Sequence, residues 1–392
     1  MELLRDSIAM VSLAVLVAAV CARAASSWLR PGFPRLAALL PVVAFLAATP
    51  LAFTSAIVRG LAAFFLTWLG VFKVILLAAG SGPLDPTLPV LVFVFTAALP
   101  VKLRCGGPGA AGVAASKVKP VSPVSCAVKV AVIAAILHVY QYTDQLHLYM
   151  RLALYGVHMY CFLDLLLPCI AAAGGALGME LEPQFDRPYL ASSLRDFWGR
   201  RWNLMVSAIL RPSVYDPVRA RAGKAAATMA TFLVSGLMHE ALIYYLTLRP
   251  PTGEMTAFFL LHGACCVAEE LCARRWAVKG WRPPPRPVST LLVVVFVTGT
   301  AFWLFFPPIC RDGGEEALLE EWAAVASFFE DAGRELIRHA SDVVMNSKVE
   351  TCTLYSLTYR KLTIYDCQHG HNNPVNYVTI VVSYYITPCL SP

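Results

Sequence analysis

The sequence is poor in charged residues. Only 15% of its 392 residues are Asp, Glu, Lys or Arg, and 58% are hydrophobic, whereas about a quarter of an average soluble domain is charged. A soluble protein needs more polar residues than this to cover its surface. The scarcity of charge therefore excludes a soluble enzyme and a disordered chain. Recurring apolar runs long enough to cross a bilayer indicate an all-α integral membrane protein.

The sequence also lacks the motifs of several other classes. Its twelve cysteines form no C-x-x-C pair, and many lie in apolar runs, which is typical of buried thiols. The glycine-rich stretch Gly106–Gly112 is not followed by the Lys-Ser/Thr of a phosphate-binding loop. Cys367, His369 and His371 alternate in a weak metal-ligand pattern that chance explains. We predict no metal and no resident cofactor.

Nine apolar segments predict a bundle of about eight or nine transmembrane helices. Lys and Arg concentrate in the loops after the fourth, sixth and eighth segments, which predicts a shared cytosolic side. The net charge of +7 thus indicates a lipid bilayer surface and not nucleic acid as partner. If every segment crossed, the basic residues after the first segment would lie on the opposite side from the other basic loops. We therefore expect that one of segments two to four does not cross the membrane. The segments are 7–24, 36–58, 60–79, 87–100, 126–143, 147–174, 225–248, 255–272 and 288–306, with 87–100 short and 36–58 interrupted by Pro41 and Pro50.

An ionisable pair lies inside one of these apolar segments. His239 and Glu240 fall near the middle of Thr231–Leu246, where a charged group costs about 2.5–3.5 kcal/mol. Such a group faces a polar cavity or bonds to another helix, and histidine suits proton transfer near neutral pH. The zinc-protease pattern H-E-x-x-H is incomplete, because Ile243 stands where the second histidine belongs. We predict that His239 and the adjacent Glu240 line a cavity, in which His239 acts as a base. The alternative is that the two residues form a proton relay in a transporter.

The basic loop before this segment contains an amphipathic stretch at 192–211. Its apolar stripe includes Trp198 and Trp202, which suit the headgroup level of a membrane interface. Such a helix either anchors the chain or brings Asn203 to the mouth of a membrane cavity. In the second case Arg200 and Arg201 lie near an anionic ligand.

Together, the two motifs resemble those of the membrane-bound O-acyltransferase superfamily. The first reads Asp-Phe-Trp-x-x-x-Trp-Asn and ends at Asn203, and the second reads Phe-Leu-Val-Ser-Gly-x-x-His-Glu, with its histidine 36 residues later. More narrowly, the chain resembles the plant wax synthases, which are long-chain-alcohol O-fatty-acyltransferases. The resemblance covers residues 1–332, predicted to be the acyltransferase domain, with its most specific core at 180–306. Residues 333–392 depart from the family pattern, and we assign this tail no role.

The resemblance implies a function and a site. It makes His239 the catalytic residue and Asn203 its partner, with acyl-CoA as co-substrate. The acceptor it implies is a long-chain fatty alcohol or another hydroxyl lipid, and the compartment is the endoplasmic reticulum membrane. Acylation of a sterol or diacylglycerol and an inactive lipid-binding member remain alternatives. Supporting or substrate-binding roles fall to Glu240, Trp198, Trp202, Arg200 and Arg201.

Overall fold

A computed structural model describes residues 5–101, 123–280, 284–339 and 341 of the chain. These residues form helices and contain no β-strand. The chain divides into two units, Met1–Ala326 and Ser327–Pro392. In the second unit, residues 327–339 are helical. Most of the tail, including Cys367, His369 and His371, lies outside the described residues.

The N-terminal helices contain the predicted break in segment 36–58. The helix after Gly32 ends at Ala48, Pro50 lies in a 3-10 turn, and the next helix begins where Ser55 accepts a hydrogen bond from the Val58 amide. Proline at this point has no amide to continue the helix. The helices are α1 (Ile8–Trp28), α2 (Phe33–Ala48), α3 (Ala56–Ala78, π-helical over Ala63–Gly70) and α4 (Val90–Ala98).

The second half of the first unit holds the helices, both long and short, that carry the predicted motifs. They are α5 (Pro123–Val139), α6 (Leu148–Ala176), α7 (Leu194–Asp196), α8 (Leu204–Leu210), α9 (Asp216–Thr247), α10 (Glu254–Val278), α11 (Arg286–Thr300), α12 (Pro307–Cys310) and α13 (residues 314–326). Short 3-10 turns lie at Tyr140–Gln145 and Pro188–Leu190, and π-helical turns lie at Phe197–Arg201, Arg211–Tyr215 and Ala301–Phe305.

Eight helices in the described ranges are long and apolar enough to cross a membrane, which confirms the predicted fold class. Helix α4 has nine residues and reaches about 14 Å, less than half of the roughly 30 Å hydrocarbon core. With α4 not crossing, the basic loops follow the first, third, fifth and seventh spans. All four basic loops then lie on one side of the membrane. The loop after the first span, which disagreed with the others when every segment was counted as crossing, now agrees with them.

Helices α9 and α10 cross closely at two glycines. A Cβ atom added at Gly236 would lie 2.8 Å from the Thr256 Cα atom, and one added at Gly263 would lie 2.9 Å from the Phe232 Cβ atom. Only glycine lets the two backbones approach this closely, as small residues do in other membrane bundles. The crossing places His239 on α9 next to the first turns of α10.

Charged side chains pair with unpaired backbone groups at three helix ends; Arg59 and Lys73 are buried, and Glu321 is half-buried. Arg59 donates to the Tyr245 and Leu246 carbonyls at the end of α9. Glu321 accepts from the Ala56 and Ile57 amides at the start of α3, at 2.6 and 2.9 Å. Lys73 donates to the Thr96 and Leu99 carbonyls at the end of α4, at 2.7 and 2.6 Å. Each charge satisfies backbone groups that a helix end leaves unpaired.

Candidate active site

The imidazole of His239 is held by its own helix. Its Nδ1 atom lies 2.7 Å from the backbone oxygen of Ser235, one turn earlier on α9. A carbonyl oxygen can only accept, so Nδ1 carries the proton in the neutral ring and Nε2 keeps its lone pair. His239 therefore presents a proton acceptor at Nε2.

Aromatic rings from three elements surround this imidazole. Phe259 on α10 stacks on it with ring centroids 4.1 Å apart, and Trp68 on α3 meets it edge to face at 4.7 Å. Phe305, at the end of the π-helical turn after α11, lies 6.2 Å away. The histidine is half-buried among these rings. Such an apolar surround excludes water and suits a long apolar substrate.

Glu240 turns away from the imidazole toward the neighbouring helix. Its Oε1 atom accepts a hydrogen bond of 3.0 Å from the amide of Thr256, in the first turn of α10. The carboxylate is buried and caps that helix. The hydrogen bond that orients the imidazole is the one to the Ser235 carbonyl. His239 therefore bonds within α9, whereas Glu240 bonds to α10.

Asn203 lies at the turn that breaks the predicted interfacial helix. The stretch 192–211 forms two short helices, because Asn203 adopts the left-handed conformation with φ of 44°. Asparagine tolerates this conformation better than most residues. Its Oδ1 atom accepts a 3.4 Å hydrogen bond from the Val206 amide and caps α8. The predicted continuous helix was therefore wrong in this one respect.

Helix α8, which Asn203 caps, packs in the same cluster as the residue before His239. Met205 and Ile209, both buried, share a cluster with Trp68, and Met238 packs against the same cluster. Met238 directly precedes His239. Among the described contacts, Asn203 bonds to its own helix and not to the imidazole. The structure thus places the two predicted residues on neighbouring elements without a direct bond.

Trp198 is fixed by a histidine on α10. Its Nε1 atom donates to His262 Nδ1 at 3.0 Å, and His262 Nε2 lies 2.9 Å from the hydroxyl of Thr300. An indole can only donate, so His262 carries its proton at Nε2 and donates to Thr300. The Trp198 ring also lies 5.5 Å from Phe259. His262 thereby orients the aromatic wall of the site.

Trp202 packs into an aromatic cluster beside Trp198. It stacks on Phe197 at 5.5 Å and meets Phe185 edge to face at 5.1 Å. Tyr160 on α6 lies 6.3 Å from it. These contacts join α6 to the loop that carries Asn203.

The two neighbouring arginines have different surroundings. Arg201 forms an ion pair of 2.8 Å with Asp196 and donates to the Asp186 carbonyl at 3.1 Å. Arg200 is exposed. Arg201 therefore holds the loop together, and Arg200 is the better placed of the two to meet an anionic ligand.

Acidic residues on α10 anchor the Trp198 segment. Glu269 accepts from the Leu194 amide at 2.8 Å and from the Arg195 amide at 3.2 Å, at the start of α7. Glu270 lies 2.6 Å from both Lys224 and Arg274. The pair of Glu270 with Arg274, four residues later on the same helix, is a local pattern that the sequence can indicate. Lys224 and the amides of Leu194 and Arg195 lie too far along the chain for a local pattern to indicate them.

A second polar cluster lies between α6 and α13. Arg151 pairs with Glu315 at 2.9 Å, and Glu315 also accepts from the Tyr155 hydroxyl. The buried His158 bonds to Tyr140 at 3.1 Å. No group of three residues that could hold a metal ion occurs among the residues that the structure describes.

Comparison with known proteins agrees with the fold and the motifs. Residues 181–261 match the model of the membrane bound O-acyl transferase family. The chain is 41% identical over 306 residues to a probable long-chain-alcohol O-fatty-acyltransferase of Arabidopsis thaliana, covering 76% of this chain and 89% of that protein. It is 38% identical over 309 residues to the long-chain-alcohol O-fatty-acyltransferase of Simmondsia chinensis, covering 76% and 87%. It is also 37% identical over 317 residues to an acyl-CoA–sterol O-acyltransferase of Arabidopsis thaliana, covering 78% and 91%.

The family match at residues 181–261 includes the Trp198–Asn203 and His239–Glu240 motifs. The chain belongs to the membrane-bound O-acyltransferase family, in its wax synthase group. The resemblance drawn from the two motifs is thereby confirmed.

Proposed function

We propose that this protein transfers a fatty acyl group from acyl-CoA to the hydroxyl of a long-chain fatty alcohol and so forms a wax ester. The observation that carries the proposal is the His239 imidazole, whose Nδ1–H is bonded to Ser235 while Nε2 is left as an acceptor. A neutral imidazole in an aromatic, half-buried setting is a suitable general base for an alcohol. The names of the relatives at 38–41% identity support the choice of a fatty alcohol as acceptor.

The reaction needs one base and no covalent enzyme intermediate. The alcohol oxygen attacks the thioester carbonyl carbon, and the hydroxyl proton passes to His239 Nε2. The resulting tetrahedral species carries negative charge on the former carbonyl oxygen. When the carbon–sulfur bond breaks, the sulfur takes the proton from His239 and leaves as the free thiol of CoA. Atoms and charge balance, and the neutral imidazole is regenerated.

In this proposal Asn203 holds the acyl donor or stabilises the developing oxyanion. One such donor contributes about 3 kcal/mol in other enzymes. Arg200, exposed on the same loop, is proposed to attract the phosphates of CoA. We propose that the side with the basic loops is cytosolic, in keeping with their charge, and that the membrane is the endoplasmic reticulum.

A sterol acceptor is the second candidate, because one relative at 37% identity is named an acyl-CoA–sterol O-acyltransferase. Both acceptors present a hydroxyl on a large apolar body, so the same base and the same aromatic wall serve either. The two differ only in the shape of the apolar part.

The test supplies labelled palmitoyl-CoA to microsomes that contain the protein, together with hexadecanol, a sterol and diacylglycerol. The wild type should form mainly the wax ester, and His239→Ala should form no ester. His339→Ala, at an exposed histidine of the second unit, is the matched control and should retain activity. A dominant steryl ester would replace the acceptor assignment. No ester of any kind from inserted wild-type protein would contradict the proposed function.

A further inference from the structure

One buried indole beside His239 has an unpaired N–H group. Trp68 is 3% exposed, and its Nε1 atom has no hydrogen-bond partner among the described residues. The indole of Trp198, by contrast, donates to His262. A buried donor without a partner costs about 1–3 kcal/mol and is rare in folded proteins. Its retention needs an explanation other than stability.

The position of Trp68 relates this donor to the reaction. Its ring meets the His239 ring edge to face, with centroids 4.7 Å apart and planes at 75°. It lies in the π-helical stretch Ala63–Gly70 of α3, a distortion that is frequent at functional sites. The same ring is packed against Phe64, at 5.6 Å, and shares its cluster with Met205 of α8. Trp68 is therefore held between the helix of the base and the helix that Asn203 begins.

We propose that Trp68 donates its indole N–H to the carbonyl oxygen of the acyl thioester as negative charge develops there. This inference rests on the proposed function, and it gives the unpaired donor a partner that is present only when substrate is bound. The alcohol proton still goes to His239 Nε2, and Trp68 releases no proton. A donor fixed beside the base, in a setting that excludes water, stabilises the oxyanion without having to reorganise.

Phenylalanine at this position removes the N–H but also shrinks the ring. The sharper variant replaces Trp68 with β-(3-benzothienyl)alanine, in which sulfur stands in place of the N–H and the bicyclic shape is kept. The same replacement at Trp28, which is 89% exposed, is the matched control. Thermal unfolding of the purified proteins shows whether each variant folds as the wild type does.

The expected result is a kcat about 100- to 1000-fold lower for the Trp68 analogue. The KM values for palmitoyl-CoA and hexadecanol should stay within about twofold, since the bond strengthens in the transition state. The Trp28 analogue should keep the wild-type kcat. The Trp68 analogue should unfold at the wild-type temperature or slightly above it, because the group removed is unpaired in the free protein.

A folded Trp68 analogue with wild-type kcat would overturn this inference and leave Trp68 as a packing residue. A raised KM for palmitoyl-CoA at unchanged kcat would overturn it as well, because the donor would then serve ground-state binding. Both results leave the proposed function standing if the wild type forms ester and His239→Ala does not. Absence of ester from the wild type would instead count against the proposed function.

Discussion

Glu240 and Thr256 join the two helices that frame the site: the buried carboxylate of Glu240 accepts the Thr256 amide at 3.0 Å. Glu240 is adjacent to His239 in sequence, yet its bond goes to the start of α10. The bond forms where Gly236 lets the two backbones meet. Glu240 is therefore next to the base in the sequence, but its hydrogen bond stabilises the crossing of α9 and α10.

This geometry predicts different effects for two substitutions of Glu240. Glu240→Gln keeps an oxygen acceptor for the Thr256 amide, so most of the stability and activity should remain. Glu240→Leu leaves that partly buried amide unpaired, which should lower the free energy of unfolding by about 1 kcal/mol or somewhat more. Thermal unfolding and ester formation by purified protein measure both effects. A Gln variant with normal stability and no turnover would show that the carboxylate takes part in the chemistry.

The helix crossing itself is tested at Gly236. A Cβ atom there would meet the Thr256 Cα atom at 2.8 Å, and neither backbone can move without separating α9 from α10. Gly236→Ala should therefore destabilise the protein by about 1–3 kcal/mol. Gly175→Ala in α6 is the control, because an added Cβ meets nothing within 4 Å there. It should be neutral or slightly stabilising. Equal unfolding temperatures for the two variants would contradict the proposed close packing.

Substitutions of Asn203 distinguish two roles of its side chain: the oxygen that caps α8 and the NH2 group that is proposed to donate to substrate. Asn203→Asp keeps an oxygen for the Val206 amide but loses the NH2 donor, while Asn203→Gly keeps the left-handed turn and loses the side chain. If the amide donates to substrate, both variants should lose at least about tenfold in kcat. The Asp variant should still unfold near the wild-type temperature. Retained kcat in the Asp variant would limit Asn203 to capping α8.

Arg200 and Arg201 form a matched pair for the acyl-CoA subsite. Arg200→Ala should raise the KM for palmitoyl-CoA about two- to fivefold and reduce its salt dependence, since an exposed charge pair contributes up to about 1 kcal/mol. Arg201→Ala should mainly lower the unfolding temperature, because it removes the ion pair with Asp196. Steady-state kinetics at two ionic strengths measure the difference. The reverse pattern would assign the phosphate contact to Arg201.

Much of the fold follows from local sequence signals. The apolar runs located the crossing helices, because segment length is a local property. Pro50 lies at the predicted break, whereas the expected interruption at Pro41 was wrong, since α2 continues through that residue to Ala48. The backbone conformation of Asn203 and the surroundings of Trp68 could not be predicted from such local signals. The left-handed turn at Asn203 and the contact of Trp68 with His239 depend on packing between distant elements. The sequence likewise placed Glu240 next to His239 but carried no sign that its partner is Thr256.

The central claim is that His239 Nε2 removes the proton of the acceptor alcohol. His239→Asn tests it most directly, because the asparagine amide can still donate to the Ser235 carbonyl while no group replaces Nε2. Purified wild type and variant would be reconstituted in bilayer discs with labelled palmitoyl-CoA and hexadecanol, and initial rates of wax ester formation would be compared. We predict a kcat at least about 100-fold lower in a variant that unfolds at the wild-type temperature. A kcat within a few fold of the wild type would contradict the assignment of His239 as the base.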